Sequence, residues 1–148
     1  MKWLVSILLL AGTPCYAQSA DESAIRDILN KQTAAWNNGN LSSFMSGYWK
    51  SDSLMFIGQS GITYGWNQTL ANYKKHYPDT AIMGKLKFDI ILVKSLSPQY
   101  FHVTGKWMLK RSVGDISGYF TLLFRKIDGT WKFRKIDGTW KIIADHSS

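Results

Sequence analysis

The sequence predicts an α+β fold, with about three N-terminal helices packed on a curved, mainly antiparallel sheet. Up to about residue 78 the apolar residues recur at helical spacing, as at Ile25, Leu29 and Trp36. The rest of the chain consists of long segments rich in β-branched and aromatic residues, separated by turn residues. Because helices and strands occupy separate parts of the chain, the helices are expected to cover one face of the sheet.

Three helices are predicted, at residues 19–37, 41–49 and 66–77. Ser19 or Asp21 can cap the first helix, and its apolar residues then repeat with a helical period. The Asn-Asn-Gly-Asn stretch at 37–40 stops this helix, because Asn and Gly tolerate left-handed backbone. Asn40 can cap the second helix, and Pro78 ends the third.

The predicted strands begin with a brief buried strand at 54–57, followed by a turn-rich connection at 58–65. Four long strands follow at 85–94, 100–111, 118–127 and 139–146. Alternation along the second of these gives its core or pocket face as Phe101, Val103, Trp107, Leu109 and Arg111.

Residues 1–17 are predicted to be a signal peptide. Lys2 precedes a short apolar run, and the small residues Cys15 and Ala17 form a cleavage pattern, so we place the cut near Ala17. The run is shorter than the roughly 20 residues that span a bilayer, which disfavours an uncleaved anchor. We therefore expect an exported protein, periplasmic or secreted, without stable membrane insertion, and a single domain at 18–148.

The net charge and the cysteine content limit the kinds of partner and cofactor that the sequence supports. The net charge is +8, but Lys and Arg are spread along the chain, and export makes nucleic acid an unfavoured partner. Cleavage removes Cys15, the single cysteine, and the three His residues are scattered. We therefore predict neither a metal site nor a cofactor.

Several motifs carry a resemblance to a known family. They are Trp-Asn-Asn-Gly-Asn at 36–40, the segment 58–65, Val-Thr-Gly-Lys-Trp at 103–107, and the segments 118–126 and 137–148. In these motifs the chain resembles the SnoaL-like branch of the nuclear transport factor 2-like superfamily, in particular the domain-of-unknown-function 4440 group. The resemblance implies a cystatin-like α+β cone whose pocket opens at one end, and a homodimer. Where the group often has Asp, this chain has Asn40, which keeps the capping role but not a carboxylate.

A perfect tandem repeat lies near the end of the chain. Residues 124–132 and 133–141 both read FRKIDGTWK, and each copy holds an Asp-Gly turn signal. We expect the strands 118–127 and 139–146 to keep their places, with 128–138 projecting as an extended loop or a small extra hairpin. A nine-residue register shift, a terminal strand swapped between subunits and an error in the gene model are the alternatives.

The function that we expect first is the binding of a small hydrophobic or aromatic molecule in the conical pocket. The candidate pocket residues are Trp36, Tyr48, Phe56, Tyr73, Trp107, Arg111 and Tyr119. For each aromatic residue the alternative to ligand contact is a role in core packing, and for Arg111 the alternative is a position on the surface.

The alternatives are a lyase or isomerase of the SnoaL or ketosteroid isomerase type, with a His or Asp general base, and a dimerising interaction module. His146 and Asp52 are the candidate catalytic residues. Regular alternation places His146 on the face of Trp140 and Ile142, with Asp145 opposite. Imidazole titrates near neutral pH, which favours His146 as the base; a purely structural histidine is the competing role.

Overall fold

The computed structural model describes residues 19–131 and 134–148. The predicted signal peptide at 1–17 therefore lies outside the described residues. Within the described part of the chain, no helix combines the length and apolar character that a bilayer crossing would need.

Four α-helices lie in the first part of the described chain: α1 Ala20–Asn37, α2 Leu41–Phe44, α3 Trp66–His76 and α4 Thr80–Met83. The Ser19 hydroxyl accepts a hydrogen bond from the backbone N–H of Glu22, which caps α1 as predicted. The second predicted helix is shorter than expected, since a single 3₁₀ turn, Met45–Gly47, replaces its second half. The short α4 was not predicted; Asp79 caps it.

In the described part of the chain, six strands form one sheet: β1 Met55–Gly58, β2 Gly61–Tyr64, β3 Lys85–Ser97, β4 Tyr100–Lys110, β5 Ile116–Trp131 and β6 Arg134–Ser147. Their order across the sheet is β2-β1-β6-β5-β4-β3. The β1–β6 pair is parallel and the other pairs are antiparallel. The segment predicted as a turn-rich connection instead contains β2, which forms a tight hairpin with β1.

The core lies between the helices and the inner face of this curved sheet. On β4, Phe101, Val103 and Leu109 are buried, so the predicted inward face of that strand is confirmed. Ile25 and Leu29 of α1 are likewise buried and pack into the same cluster. The predicted α+β cone with helices on one sheet face is therefore confirmed.

The Trp-Asn-Asn-Gly-Asn motif at 36–40 joins α1 to β3 and α2. Trp36 donates from Nε1 to the carbonyl oxygen of Met83 at 3.2 Å. The Asn37 side chain donates to the carbonyl of Leu86 and accepts from its N–H, at 3.1 and 2.6 Å. Asn40 accepts from the N–H of Ser43 and caps α2, as predicted. The motif has a structural role in this chain.

The tandem repeat lengthens the β5–β6 hairpin. Ile127 pairs with Thr139, and after an irregularity the pairing continues from Gly129 with Ile136 to Trp131 with Arg134. The two copies thus lie antiparallel beside each other, and the predicted small extra hairpin is confirmed. Residues 132 and 133 lie outside the described residues.

Candidate functional site: an aromatic cavity with a buried carboxyl group

A cavity of about 580 Å³ lies between the helices and the inner face of the sheet. Helices α1 and α3 and strands β1, β4, β5 and β6 all contribute residues to its walls. Its aromatic lining consists of Trp36, Phe44, Tyr48, Phe56, Tyr73, Tyr77, Phe88, Trp107 and Phe120. A wall this rich in aromatic residues is typical of sites for small organic molecules.

The rings at the helical side of the cavity meet at steep angles. Trp36 contacts Tyr77 with centroids 4.9 Å apart and Phe44 with centroids 5.2 Å apart, at interplanar angles of 74° and 68°. Tyr73 makes similar edge contacts with Phe44 and Phe56, at 5.4 and 5.7 Å. Edge-to-face contact is a favoured arrangement of aromatic pairs. These rings therefore pack at steep angles to one another and do not stack in parallel.

Asp145 of β6 lies in this lining and is only 4% exposed. Its Oδ2 accepts a 2.7 Å hydrogen bond from the Tyr48 hydroxyl, and its Oδ1 accepts a 2.7 Å bond from the Ser147 hydroxyl. Tyr48 is also buried, and its hydroxyl interacts with that of Tyr73. The chain therefore holds a carboxyl group inside an aromatic cavity, with hydroxyl donors as its hydrogen-bond partners.

Burial determines the protonation of this group. Loss of solvent raises the pKa of Asp145 from 3.8 to about 6, against the opposing effects of the Tyr48 and Ser147 hydrogen bonds and of His146. Burial likewise raises the pKa of Tyr48 and of Tyr73 well above 10, helped by the negative charge of Asp145. Both phenols therefore stay protonated at neutral pH, while Asp145 can gain or lose a proton just below it.

A β-bulge decides which residue of β6 faces the cavity. Leu123 pairs with Ala144 but the next residue, Phe124, pairs with Ile142, so that one residue of β6 has no partner. The extra residue reverses the alternation, and Asp145 now lies opposite the buried Leu122. His146 lies opposite Thr121 and is exposed. The predicted inward position of His146 was therefore wrong, because the strand is not regular.

Five of the seven predicted pocket residues line the cavity: Trp36, Tyr48, Phe56, Tyr73 and Trp107. The remaining two, Arg111 and Tyr119, do not. Strand β4 ends at Lys110, so its alternation does not extend to Arg111, whose Nε instead donates to the Gly114 carbonyl at 2.7 Å. Tyr119 precedes the inward-facing Phe120 and is 59% exposed on the other face of β5.

Asp52, the second predicted catalytic residue, does not line the cavity. It is exposed in the turn before β1. Sequence reasoning missed the pairing of Asp145 with Ser147. The two polar residues stand two positions apart after an apolar run, and this spacing puts them on one face of a strand. Among the described residues, no group of three or more His, Cys, Asp or Glu could hold a metal ion.

Comparison with known proteins identifies the family. An NTF2-like protein of unknown function from Shewanella oneidensis is 43% identical, with a TM-score of 0.75, over 85% of this chain and 97% of that one. The chain belongs to the NTF2-like family. No protein-family model and no curated protein matches it. The narrower SnoaL-like assignment stays a prediction.

More distant structures share the fold. A domain of unknown function with a cystatin-like fold from Nostoc punctiforme is 18% identical, with a TM-score of 0.69, over 89% of this chain and 78% of that one. A ketosteroid isomerase-like protein from Erwinia carotovora atroseptica is 14% identical, with a TM-score of 0.62, over 87% of this chain and 95% of that one. These similarities support the cone-shaped fold alone.

Proposed function

We propose that this protein binds a small, largely apolar or aromatic molecule in the cavity. The observation that carries the proposal is the aromatic cavity of about 580 Å³ with one carboxyl group in its wall. Pockets for drug-sized molecules measure roughly 300–1,000 Å³, are mostly apolar, and contain a few polar groups that orient the ligand. Exposed polar residues of the lining, among them Gln59, Ser60 and His76, form the rim through which a ligand would enter.

The test uses a neutral fluorescent probe, N-phenyl-naphthylamine, whose emission rises in an apolar site. Leu122→Trp places a large side chain in the cavity wall, whereas Thr121→Trp places the same side chain on the exposed face one residue away. We expect the first variant to lose most probe binding and the second to retain it. Equal binding by both variants would show that the probe sits elsewhere.

Native mass spectrometry of the purified protein, followed by denaturation, would identify a molecule that is carried through purification. We expect an added mass that Leu122→Trp lacks. If neither an added mass nor probe binding is found, the proposal fails.

A second candidate function is proton transfer, as in an isomerase or lyase, and the pKa of Asp145 near 6 favours it. In this reaction Asp145 removes a proton from a carbon next to a carbonyl group. The electron pair of the broken C–H bond forms a C=C bond, and the π pair of the carbonyl group moves to its oxygen to give an enolate. The Tyr73 hydroxyl, which is hydrogen-bonded to that of Tyr48, would turn away from it and donate to the resulting enolate. Return of the proton to another carbon completes an isomerisation.

β-Tetralone, a flat aromatic ketone, tests this second function. Exchange of its α-hydrogens for deuterium is followed by NMR with wild-type protein, with Asp145→Asn and with His146→Ala. We expect exchange to fall by about 100-fold or more in Asp145→Asn and to persist in His146→Ala. If the wild-type protein does not accelerate the exchange, the proton-transfer function is contradicted and the proposed binding function is unaffected.

Export and homodimer formation remain predictions. N-terminal sequencing of the protein recovered outside the cytoplasm checks the cleavage near Ala17, and sedimentation equilibrium checks the dimer.

A further inference from the structure

The cavity wall differs in charge from the rest of the protein. The chain has 18 Lys and Arg residues against 10 Asp and Glu. Nevertheless, none of the described residues that line the cavity is Lys or Arg, and Asp145 is the acidic side chain among them. Although the protein is basic, the described residues of the cavity wall therefore include the Asp145 carboxylate and no Lys or Arg side chain.

Asp145 also has no cation of its own. The ion pairs among the described residues do not include it. Its two oxygens accept from the Tyr48 and Ser147 hydroxyls, which are neutral donors. His146 lies close enough to lower its pKa, but its side chain is exposed on the opposite face of the strand. A buried carboxylate without a positive partner is costly, and a cation brought by a ligand would offset that cost.

The aromatic rings of the cavity wall are a second feature that favours the binding of a cation. The faces of Trp, Tyr and Phe rings carry negative partial charge and attract ammonium groups within about 6 Å. Trp36, Phe44, Tyr73 and Tyr77 pack on one another along the helical side of the cavity, with ring centroids 4.9 to 6.1 Å apart, and all four line it. Their surfaces in the cavity wall, together with the Asp145 carboxylate, offer an alkylated ammonium group both aromatic and charged contacts.

We propose that the ligand of this cavity is a cationic amine, quaternary or protonated, attached to an apolar body. The ammonium group would lie between the aromatic rings and Asp145, and the apolar body would fill the sheet side of the cavity against Phe88, Trp107 and Phe120. This inference rests on the proposed binding function and specifies its ligand. It disfavours carboxylate and phosphate ligands, because no Lys or Arg is among the described residues of the wall and Arg111, which acts on Tyr77, lies outside that lining.

The experiment compares three probes of similar shape by calorimetry on the full mature chain. They are naphthylmethyl-trimethylammonium, its neutral analogue with a tert-butyl group, and naphthylacetate. We expect the ammonium probe to bind about tenfold or more tightly than the neutral analogue, and naphthylacetate to bind most weakly. Equal affinity of the ammonium and neutral probes would overturn the inference and leave the proposed function standing. Failure of all three to bind would overturn both.

Asp145→Asn and Asp27→Asn form a matched pair of variants. Both remove one negative charge, but Asp27 is 57% exposed on α1, away from the cavity. In Asp145→Asn the ammonium probe should lose its advantage over the neutral analogue to within about twofold, whereas Asp27→Asn should behave as wild type. An unchanged advantage in Asp145→Asn would contradict the role given to this carboxylate. Retained binding of the neutral analogue shows that the variant is folded.

A pH titration of the wild-type protein gives a second measurement that does not depend on any variant folding. The fixed charge of the quaternary probe does not titrate, so its affinity should be constant above the pKa of Asp145 and fall as the pH drops through about 6. Tyr48 and Tyr73 also face Asp145 but stay protonated in this range. Because His76 lies at the rim and His146 lies on the other face of β6, the profile is repeated in His76→Gln and in His146→Gln. If the decrease in affinity at low pH disappears in either variant, that histidine causes the decrease and our proposal is contradicted.

Discussion

The Tyr48 hydroxyl lies 2.7 Å from Oδ2 of Asp145, although 97 positions separate the two residues in the chain. The backbone next to Tyr48 fixes this relationship. Tyr48 forms a parallel bridge with Ile142, and the N–H of Trp49 donates to the Ile142 carbonyl at 2.9 Å. The segment after α2 is thereby attached to β6, which brings the Tyr48 phenol within hydrogen-bond distance of the carboxyl group.

Tyr48→Phe should raise the pKa of Asp145 further, because the Tyr48 hydrogen bond stabilises the carboxylate form. The variant should also lose about 1–2 kcal/mol of stability at pH 8, where the charged acceptor is left with one donor fewer. An NMR titration of the Asp145 carboxyl carbon and urea unfolding measure the two effects. Tyr64→Phe, at a residue 62% exposed, is the control and should change neither quantity. An unchanged pKa in Tyr48→Phe would mean that this hydrogen bond does not form in solution.

Asp145→Asn should stabilise the folded protein at neutral and alkaline pH. The folded-state pKa of about 6 exceeds the usual aspartate pKa of 3.8, so the folded state holds the proton more tightly than the unfolded state. Wild-type stability therefore falls as the pH rises through this window, and at pH 8 the penalty amounts to about 3 kcal/mol. Denaturant unfolding of both proteins at pH 4 and pH 8 measures the difference. We expect the variant to gain most of that amount at pH 8 and little at pH 4; a loss at both values would show that Asp145 supports the fold.

Asn37→Ala should destabilise the protein by about 2 kcal/mol or more, since it leaves the backbone N–H and C=O of Leu86 without their side-chain partner. Asn38→Ala is the matched control, because the neighbouring side chain is exposed. Thermal unfolding of the two variants should separate them clearly. Similar melting temperatures would contradict the structural role that we assign to the 36–40 motif.

Removal of nine residues, one full copy of the repeat, should leave the fold and the cavity intact. Ile127 and Thr139 are paired, so deletion of nine residues between them leaves a two-residue Asp-Gly loop, which closes tight hairpins well. Circular dichroism, thermal unfolding and probe binding should match those of the full chain, with a melting temperature equal or higher. Loss of cooperative unfolding would indicate that the extended hairpin supports the rest of the sheet.

Local patterns in the sequence predicted most of the elements. The α1 helix, the strand faces of β4 and the cap at Asn40 follow from periodicity and from side-chain chemistry that acts over a few residues. The resemblance to NTF2-like proteins added the cone and its pocket. Trp36, Tyr48, Phe56, Tyr73 and Trp107 were correctly placed in the wall because large aromatic residues on inward faces must border the core or its cavity.

The tertiary structure alone decided which ionisable residue enters the cavity. One unpaired residue near Ile143 reverses the alternation of β6, and this reversal replaces His146 by Asp145 in the wall. Whether a bulge forms depends on how β5 and β6 settle against each other and against the helices, which no local pattern records. The sequence by itself determined three of the four described helices, five of the six described strands and an aromatic interior. Long-range pairing then determined that this interior contains a buried carboxyl group, since its burial and its hydrogen bond from Tyr48 come from residues distant in the chain.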